Sequence, residues 1–356
     1  MSLNPATDFD NERKITVQTL LQDFRFLVDD YLPEAQFWVG GGLRFDALML
    51  SLKSYMHEHI RVRQLNQVMG VMPCRWSLSW HRNQSQINDS DFCRLLEIYA
   101  ANSIAFTLCF DNPFITDEML EDPYGLGLVQ ELIKRDRLNK NTLCVANDKL
   151  RARIKKEHPK LKIIAHPNRI IIEQQRRTAK LYKQLLGQYD MVALHPSDGG
   201  RAEILSGIAQ GDSGDEKRII ITTNAPCLRT CPARREHLQA LAGMREQPYH
   251  NIHRVAEAQI VDKVGCKKLD NIMSQSAMMS YDQKRKAYEL GYRHFAFQAQ
   301  RHLSPFTLAS DVLNGIFTKA PEYSNKVATV TANVLSALSM SGRQQKSGML
   351  KFNKLY

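Results

Sequence analysis

The sequence predicts an α/β chain folded as a (β/α)8 TIM-like barrel, irregular at one strand and extended by extra N- and C-terminal helices. Three observations point there. Eight short apolar runs, each closed by polar, Pro or Gly punctuation, alternate with stretches of helical periodicity. β-Branched and aromatic residues crowd those runs, as they do in parallel strands covered on both faces. The 356 residues suffice for one large barrel or for two modest domains.

Taken in order, the first run is Phe37-Trp-Val39, which passes into Gly40-Gly-Gly42 and then Leu-Arg-Phe-Asp46. Three glycines let the backbone approach something closely, and Arg44 adds a cation for a substrate. The pattern fits neither the dinucleotide fingerprint nor the P-loop, and a bend after the strand accounts for it equally well. The second run is Val71–Leu78. Pro73 sits inside it and removes a ladder donor, so irregularity is expected there. Ile104–Phe110 leads into Asp111-Asn-Pro113, Thr142–Ala146 into Asn147-Asp148, and Leu161–Ala165 into His166-Pro-Asn168. Met191–Leu194 leads into His195-Pro-Ser-Asp198, Ile219–Thr223 into Asn224-Ala-Pro-Cys227, and His294–Phe297 into Gln298-Ala-Gln300.

Helices are predicted at Asp89–Tyr99, which opens on capping residues, at Asp148–Lys156, at Arg176–Leu186 before Gly187, and at Tyr281–Leu290 before Gly291. Gly207–Asp215 reads as a flexible loop. Val17–Val28 and Lys326–Met340 are additional amphipathic tracts. The expected organisation is an N-terminal helical extension over 1–36, the barrel over 37–320, and a C-terminal helix with a basic tail over 321–356.

No run of 18 apolar residues exists, which argues against a membrane partner. The N-terminus lacks the basic start and apolar core of a signal peptide, so a cytoplasmic location is expected. In a reducing compartment the seven cysteines speak against a disulfide scaffold and leave metal binding open. Lys and Arg outnumber Asp and Glu 48 to 37, a net +11. That balance favours polyanionic partners, nucleic acid first, although it can also serve solubility alone.

The chemistry should lie where the strands end. In a parallel barrel every carboxyl end opens on one mouth, so Asp111, His166, His195 and Asn224 are expected to share it as catalytic candidates, near Asp148 and Asp198. Imidazole there can serve as base, metal ligand or donor to an oxyanion. Proline after a strand is also an ordinary turn signal, with histidine filling space. Cys227 and Cys231, four residues apart, can turn their sulfurs to one point, and Arg229, Arg234 and Arg235 surround them with charge that favours thiolate. Zinc and cubane clusters both want four ligands. Cys266 is the nearest downstream thiol, whereas Cys109, Cys144 and Cys93 read as packed core. His237 is either a nitrogen ligand or a solvated helix residue. Trp76, Trp80, His81 and Arg82 interleave aromatic and basic residues, the composition that stacks bases and holds phosphates, or else they are half-buried barrel aromatics. Trp80, Arg82 and Arg235 join Arg44 as substrate-binding candidates. No lysine is placed for a Schiff base and no G-x-S-x-G elbow occurs.

On these residues the chain resembles a branch of barrel proteins related to the collagenase-like peptidase family. The resemblance is carried by Phe37–Arg44, Phe106–Asn112, Asn147–Ala165, the run Asn224 to His237 with its Cys-x-x-x-Cys-Pro core, and Tyr281–Phe297. It implies a barrel enzyme of the kind that hydroxylates RNA or takes part in ubiquinone synthesis, and an iron–sulfur cluster (4Fe-4S) or zinc on Cys227, Cys231 and a third ligand such as Cys266. Family members that bind clusters use four cysteines at spacings this sequence does not reproduce. The expected function is cluster- or metal-dependent modification, hydroxylation included, of a nucleic-acid base or related aromatic ring. The alternatives are a metal-dependent barrel enzyme on a small molecule and a non-enzymatic nucleic-acid-binding or assembly protein.

Overall fold

Eight strands close into a barrel in sequence order, and every neighbouring pair, including the first with the last, is parallel. They are β1 (Gln36–Gly40), β2 (Leu65–Gly70), β3 (Ala105–Phe110), β4 (Thr142–Val145), β5 (Lys162–Ala165), β6 (Met191–Ala193), β7 (Ile219–Thr222) and β8 (His294–Phe297). Closure leaves no strand edge unpaired. This computed structural model describes residues 34–46, 65–78, 88–172, 177–211, 213–225, 227–246, 251–265 and 277–299, with a few isolated positions besides. The chain divides into two compact units: Glu34–Asp46 with Gln64–Arg301, and Met1–Pro33 with Ala47–Arg63 and His302–Tyr356. Every strand and helix named here belongs to the former. The tracts Val17–Val28 and Lys326–Met340 and the basic tail lie outside the described residues. No helix among the described residues is long and apolar enough to cross a membrane.

Seven of the predicted runs are strands. The second is a correction: β2 is Leu65–Gly70, and Val71–Leu78 is irregular. Pro73 has no N–H for a ladder, and the apolarity of that run reports burial instead. Cys74, Trp76 and Leu78 are all buried. Trp76 donates its indole N–H to the Met119 carbonyl at 2.6 Å and meets Phe110 edge-on at 5.0 Å, so it belongs to the core and cannot stack on a base. Irregularity does fall at this strand, as a register shift in the β1–β2 pairing between Phe37 and Trp38.

Helices bounded within the described residues are α1 (Asp89–Ala101), α2 (Pro123–Lys134), α3 (Asp148–Glu157), α4 (Pro167–Ile172), α5 (Ala179–Leu186), α6 (Ala202–Ala209), α7 (Arg234–Glu246), α8 (Asn251–Val264) and α9 (Tyr281–Glu289). Side chains of Asn88, Asp122, Asn147 and Thr178 cap α1, α2, α3 and α5 by accepting orphan N–H groups. Ser280 and Gln283 form a capping box on α9, and the chain turns after it at Gly291, φ 98°. The predicted loop Gly207–Asp215 is corrected at its start, since α6 runs through Ala209. Gly207 is a packing glycine: a Cβ there would lie 2.7 Å from the Ala179 Cβ. The glycines after β1 likewise serve the scaffold. A Cβ on Gly41, at φ 82°, would sit 2.7 Å from the Ala299 Cβ and 2.9 Å from the Phe45 ring.

Strand alternation layers the interior. Trp38, Cys109, Cys144, Ile164, Ala193, Ile220 and Ala296, from seven of the eight strands, pack as one apolar plug. Cys109 and Cys144 are core thiols, as their setting in the sequence suggests. Below them, Gln67 donates to the Thr107 hydroxyl at 2.7 Å, and Thr107 pairs with the Thr142 hydroxyl at 2.8 Å. His294 Nδ1 accepts the Trp38 indole N–H at 3.1 Å. Counting upward by twos from the plug reaches Asp111, His166, His195, Asn224 and Gln298, so the chemistry-bearing residues sit at the carboxyl end in the inward phase.

Candidate functional site

Two His-Pro turns build the mouth. His166 follows β5, and its Nδ1 accepts the Asn168 backbone N–H at 3.1 Å. His195 follows β6, and its Nδ1 accepts the Ser197 backbone N–H at 3.2 Å. Proline at the second position supplies no N–H, so the residue after it donates to the ring. At His166 this leaves the proton of the neutral imidazole on Nε2.

Asp111 lies over the first turn. It is 3% exposed, its Oδ1 accepts the Leu78 N–H at 2.7 Å, and its carbonyl accepts the Asn168 amide at 2.8 Å. Burial pushes the His166 pKa down, and the negative charge of Asp111 pushes it back up. The pair places a proton acceptor and a neutral N–H donor together, two complementary parts of an acid–base site.

The second turn has opposite surroundings. His195 is 2% exposed, and burial, followed by the charges of Arg234 and Arg177, holds its pKa down to about 2. Its Nε2 lies against the Arg234 guanidinium, which also donates to the Leu228 carbonyl at 3.0 Å. Its backbone N–H donates to the Tyr182 hydroxyl at 3.2 Å. Tyr182 in turn donates to Asp198 Oδ2 at 2.6 Å, and the same oxygen takes Arg177 Nε at 2.8 Å. Arg201 approaches the other oxygen at 3.4 Å. Asp198 is fully buried and so anchors two arginines and a tyrosine at the base of the turn.

Beside His195 opens a cavity of about 260 Å³ lined by Ile170, Ile171, Arg177, His195, Arg229, Thr230, Cys231, Pro232, Arg234 and Arg235. Four arginines and no acidic residue stand among the described residues of this lining. Arg234 and Arg235 begin α7, so the positive end of that helix adds to the field.

The other sequence candidates are distributed as follows. Arg235 lines the cavity. Asn224 donates to the Gln298 carbonyl at 3.0 Å and accepts its N–H at 2.7 Å, a reciprocal strap between the ends of β7 and β8. Arg44 lies in the turn after β1 with its guanidinium 4.8 Å from the Phe45 ring centre. Asp148 takes Arg169 at 2.6 Å and the Tyr189 hydroxyl, which lower its pKa against the upward push of burial. His237 contacts the buried Glu257 at 3.3 Å, between α7 and α8. Cys231 lines the cavity and also packs against Leu228 and Val261. Cys227 is half-buried, and its carbonyl accepts the Ala277 N–H at 2.9 Å. Trp80, Arg82 and Cys266 lie outside the described residues.

Among the described residues no three His, Cys, Asp or Glu side chains are grouped to hold a metal ion. Two thiols do not meet the four-donor need of a cubane or a structural zinc, so the described residues do not complete the site that the resemblance implies. Sequence reasoning missed Arg177 and the anchoring role of Asp198. Arg177 reads as part of a helix, and only the fold carries it from the segment before α5 to the turn after β6.

The structure is a closed parallel (β/α)8 barrel with an arginine-lined cavity at His195 and a carboxylate and an imidazole, Asp111 and His166, after β3 and β5. No family model matches the chain, and no curated protein matches it. The resemblance to the collagenase-like peptidase family rests on the motif residues alone.

Proposed function

We propose that this barrel is an enzyme that moves a proton on an anionic substrate. The substrate's charged group occupies the cavity of Arg177, Arg229, Arg234 and Arg235, and Asp111 with His166 performs the chemistry. The observation that carries the reading is the cavity lining, which among the described residues has four arginines and no acidic residue. Asp111 accepts the proton, and the Nε2–H of neutral His166 donates to the oxygen on which charge develops. His195 is excluded as the base, because a ring held near pKa 2 has almost no proton affinity at neutral pH.

A panel of phosphorylated and carboxylated small molecules, incubated with the protein in D2O and followed by proton NMR, tests this. Exchange of a carbon-bound proton is expected with some members and should vanish in Asp111→Asn. If no member binds or exchanges, the reading fails.

The net charge of +11 favours a second reading, modification of a nucleic-acid base with a cluster or zinc drawing on Cys227, Cys231 and Cys266. Salt-dependent RNA binding, together with iron, sulfide and zinc analysis after anaerobic purification, tests it. Metal-free protein indifferent to RNA would remove it.

A further inference from the structure

We propose that the amino end of the barrel, beneath β4 and β5, docks the phosphate backbone of a nucleic acid, at the end opposite the mouth and independently of what the mouth does. The surface is made by the two loops that lead into these strands, residues 135–141 after α2 and 158–161 after α3. The strands are parallel neighbours and Thr142 pairs with Lys162, so both loops open side by side. Arg137, Lys140, Lys160 and Lys162 are all exposed there. Lys162 shares the inward phase of Ile164, two residues on, yet is exposed, so it stands at the amino-end opening of the barrel.

The acids nearby are already engaged. Asp136 accepts the backbone N–H groups of Lys140 at 2.9 Å and Asn141 at 3.1 Å, which folds the first loop. Asp190 takes Lys155 at 3.0 Å and the Ile163 N–H at 2.8 Å. Glu157 is held by Arg153, and Glu97 and Glu131 are held by Arg135. Among the described residues none of the four cations forms an ion pair. Helix ends do not account for them either. Lys134, Lys155 and Lys156 occupy last turns, where a cation answers the helix dipole, whereas the four lie beyond α2 and α3.

Composition selects the partner. Neither loop holds Phe, Tyr or Trp, so no platform for stacking a base exists there, and the contact is with phosphates. A bilayer surface is disfavoured, because the exposed large apolar side chains among the described residues, Tyr124, Ile252, Val255, Met278 and Leu290, all lie outside these loops. A nucleic acid presents a regular row of charges, and neutralising them releases condensed counterions, a favourable entropy that a short acidic peptide lacks.

Fluorescence anisotropy of the full chain with a single-stranded oligouridylate, across a salt series, tests this. Four phosphate contacts give a slope of log K against log salt of about −2.8, at about −0.7 per contact on a single strand. Lys140→Gln, Lys160→Gln and Lys162→Gln combined should cut the slope to about −0.7 and weaken binding at least about tenfold, with the thermal midpoint unchanged. Lys149→Gln, at the other end of α3, should leave the slope in place. Lysine acetylation of the unaltered chain, read by mass spectrometry, needs no variant: bound RNA should protect Lys140, Lys160 and Lys162 and leave Lys149 reactive. No RNA binding, a slope unmoved by the triple variant, or unprotected lysines would overturn the proposal. Tighter binding to phosphatidylserine vesicles or to polyglutamate than to the oligouridylate would overturn it in favour of a membrane or a protein partner.

Discussion

The two His-Pro turns share a sequence pattern, a position in the barrel and a hydrogen-bond geometry, yet they do opposite work. In each, the strand ends, proline removes an N–H, and the residue after proline donates to Nδ1. Asp111 lies beside His166 and raises its proton affinity, while Arg234 and Arg177 lie beside His195 and lower it. Local sequence sets the turn and its hydrogen bond to Nδ1, and the neighbours brought in by the fold set the electrostatics of each ring. In the function we propose, the His166 turn serves proton transfer, and the His195 turn is set apart from it by its arginine neighbours.

The strongest way to break this contrast is to remove Asp198. Its carboxylate is fully buried and holds Arg177, Tyr182 and Arg201, so Asp198→Ala strands cations and a hydroxyl at the base of the His195 turn. A loss of about 3–5 kcal/mol is expected in urea denaturation, the usual cost of breaking a buried pair by deleting one partner. The chemical shifts of His166 should stay in place. A cost below about 1 kcal/mol would mean that Asp198 does not anchor the turn.

Acid should act next, through burial that the two ends of the barrel share. An unfolded histidine titrates near 6.5, while the folded protein holds His195 at about 2 and His294 at about 4. Both folded values lie below the unfolded one, so the unfolded chain binds more protons as pH falls. The stability is fully present above pH 6.5 and is lost at about 1.4 kcal/mol per pH unit per histidine, down to about pH 4 for His294 and about pH 2 for His195. At pH 5 each accounts for roughly 2 kcal/mol. His294→Gln should flatten the acid limb between pH 6.5 and 4, measured by denaturation at a series of pH values. An unchanged limb would refute the assignment.

A smaller and more selective effect comes from Asp111→Asn. Removing that charge takes away the one upward influence on His166, so His166 should titrate at a still lower pH while His195 is unmoved. Histidine NMR titration reads both at once. Equal shifts in the two rings would erase the contrast. The smallest effect belongs to Arg44→Ala, which removes a half-buried cation–π contact with Phe45 and should cost about 1 kcal/mol, with anion binding intact. A lost anion site in that variant would draw Arg44 into the mouth.

The sequence by itself determined the barrel and the end at which its polar residues gather. Strand runs, caps at Asn88 and Asn147, and the stop at Gly291 are local signals, written in periodicity and in the backbone groups that each turn must satisfy, whereas the helix expected from Arg176 starts only at Ala179, behind the extended cap residue Thr178. Where apolarity had a different cause, the local signal misled: Val71–Leu78 is apolar because Cys74, Trp76 and Leu78 are buried, and Gly207 is a glycine because α6 packs closely on Ala179. Only the tertiary structure decided what stands beside each imidazole. Arg177, Asp198 and Arg234 come from three separate stretches of chain, and no spacing rule links them. A hydrogen bond to a neighbour two residues away is fixed by the turn itself. A charge meets a ring across the mouth of a barrel only once eight strands have closed in register, so the electrostatics of the site are a property of the closed fold.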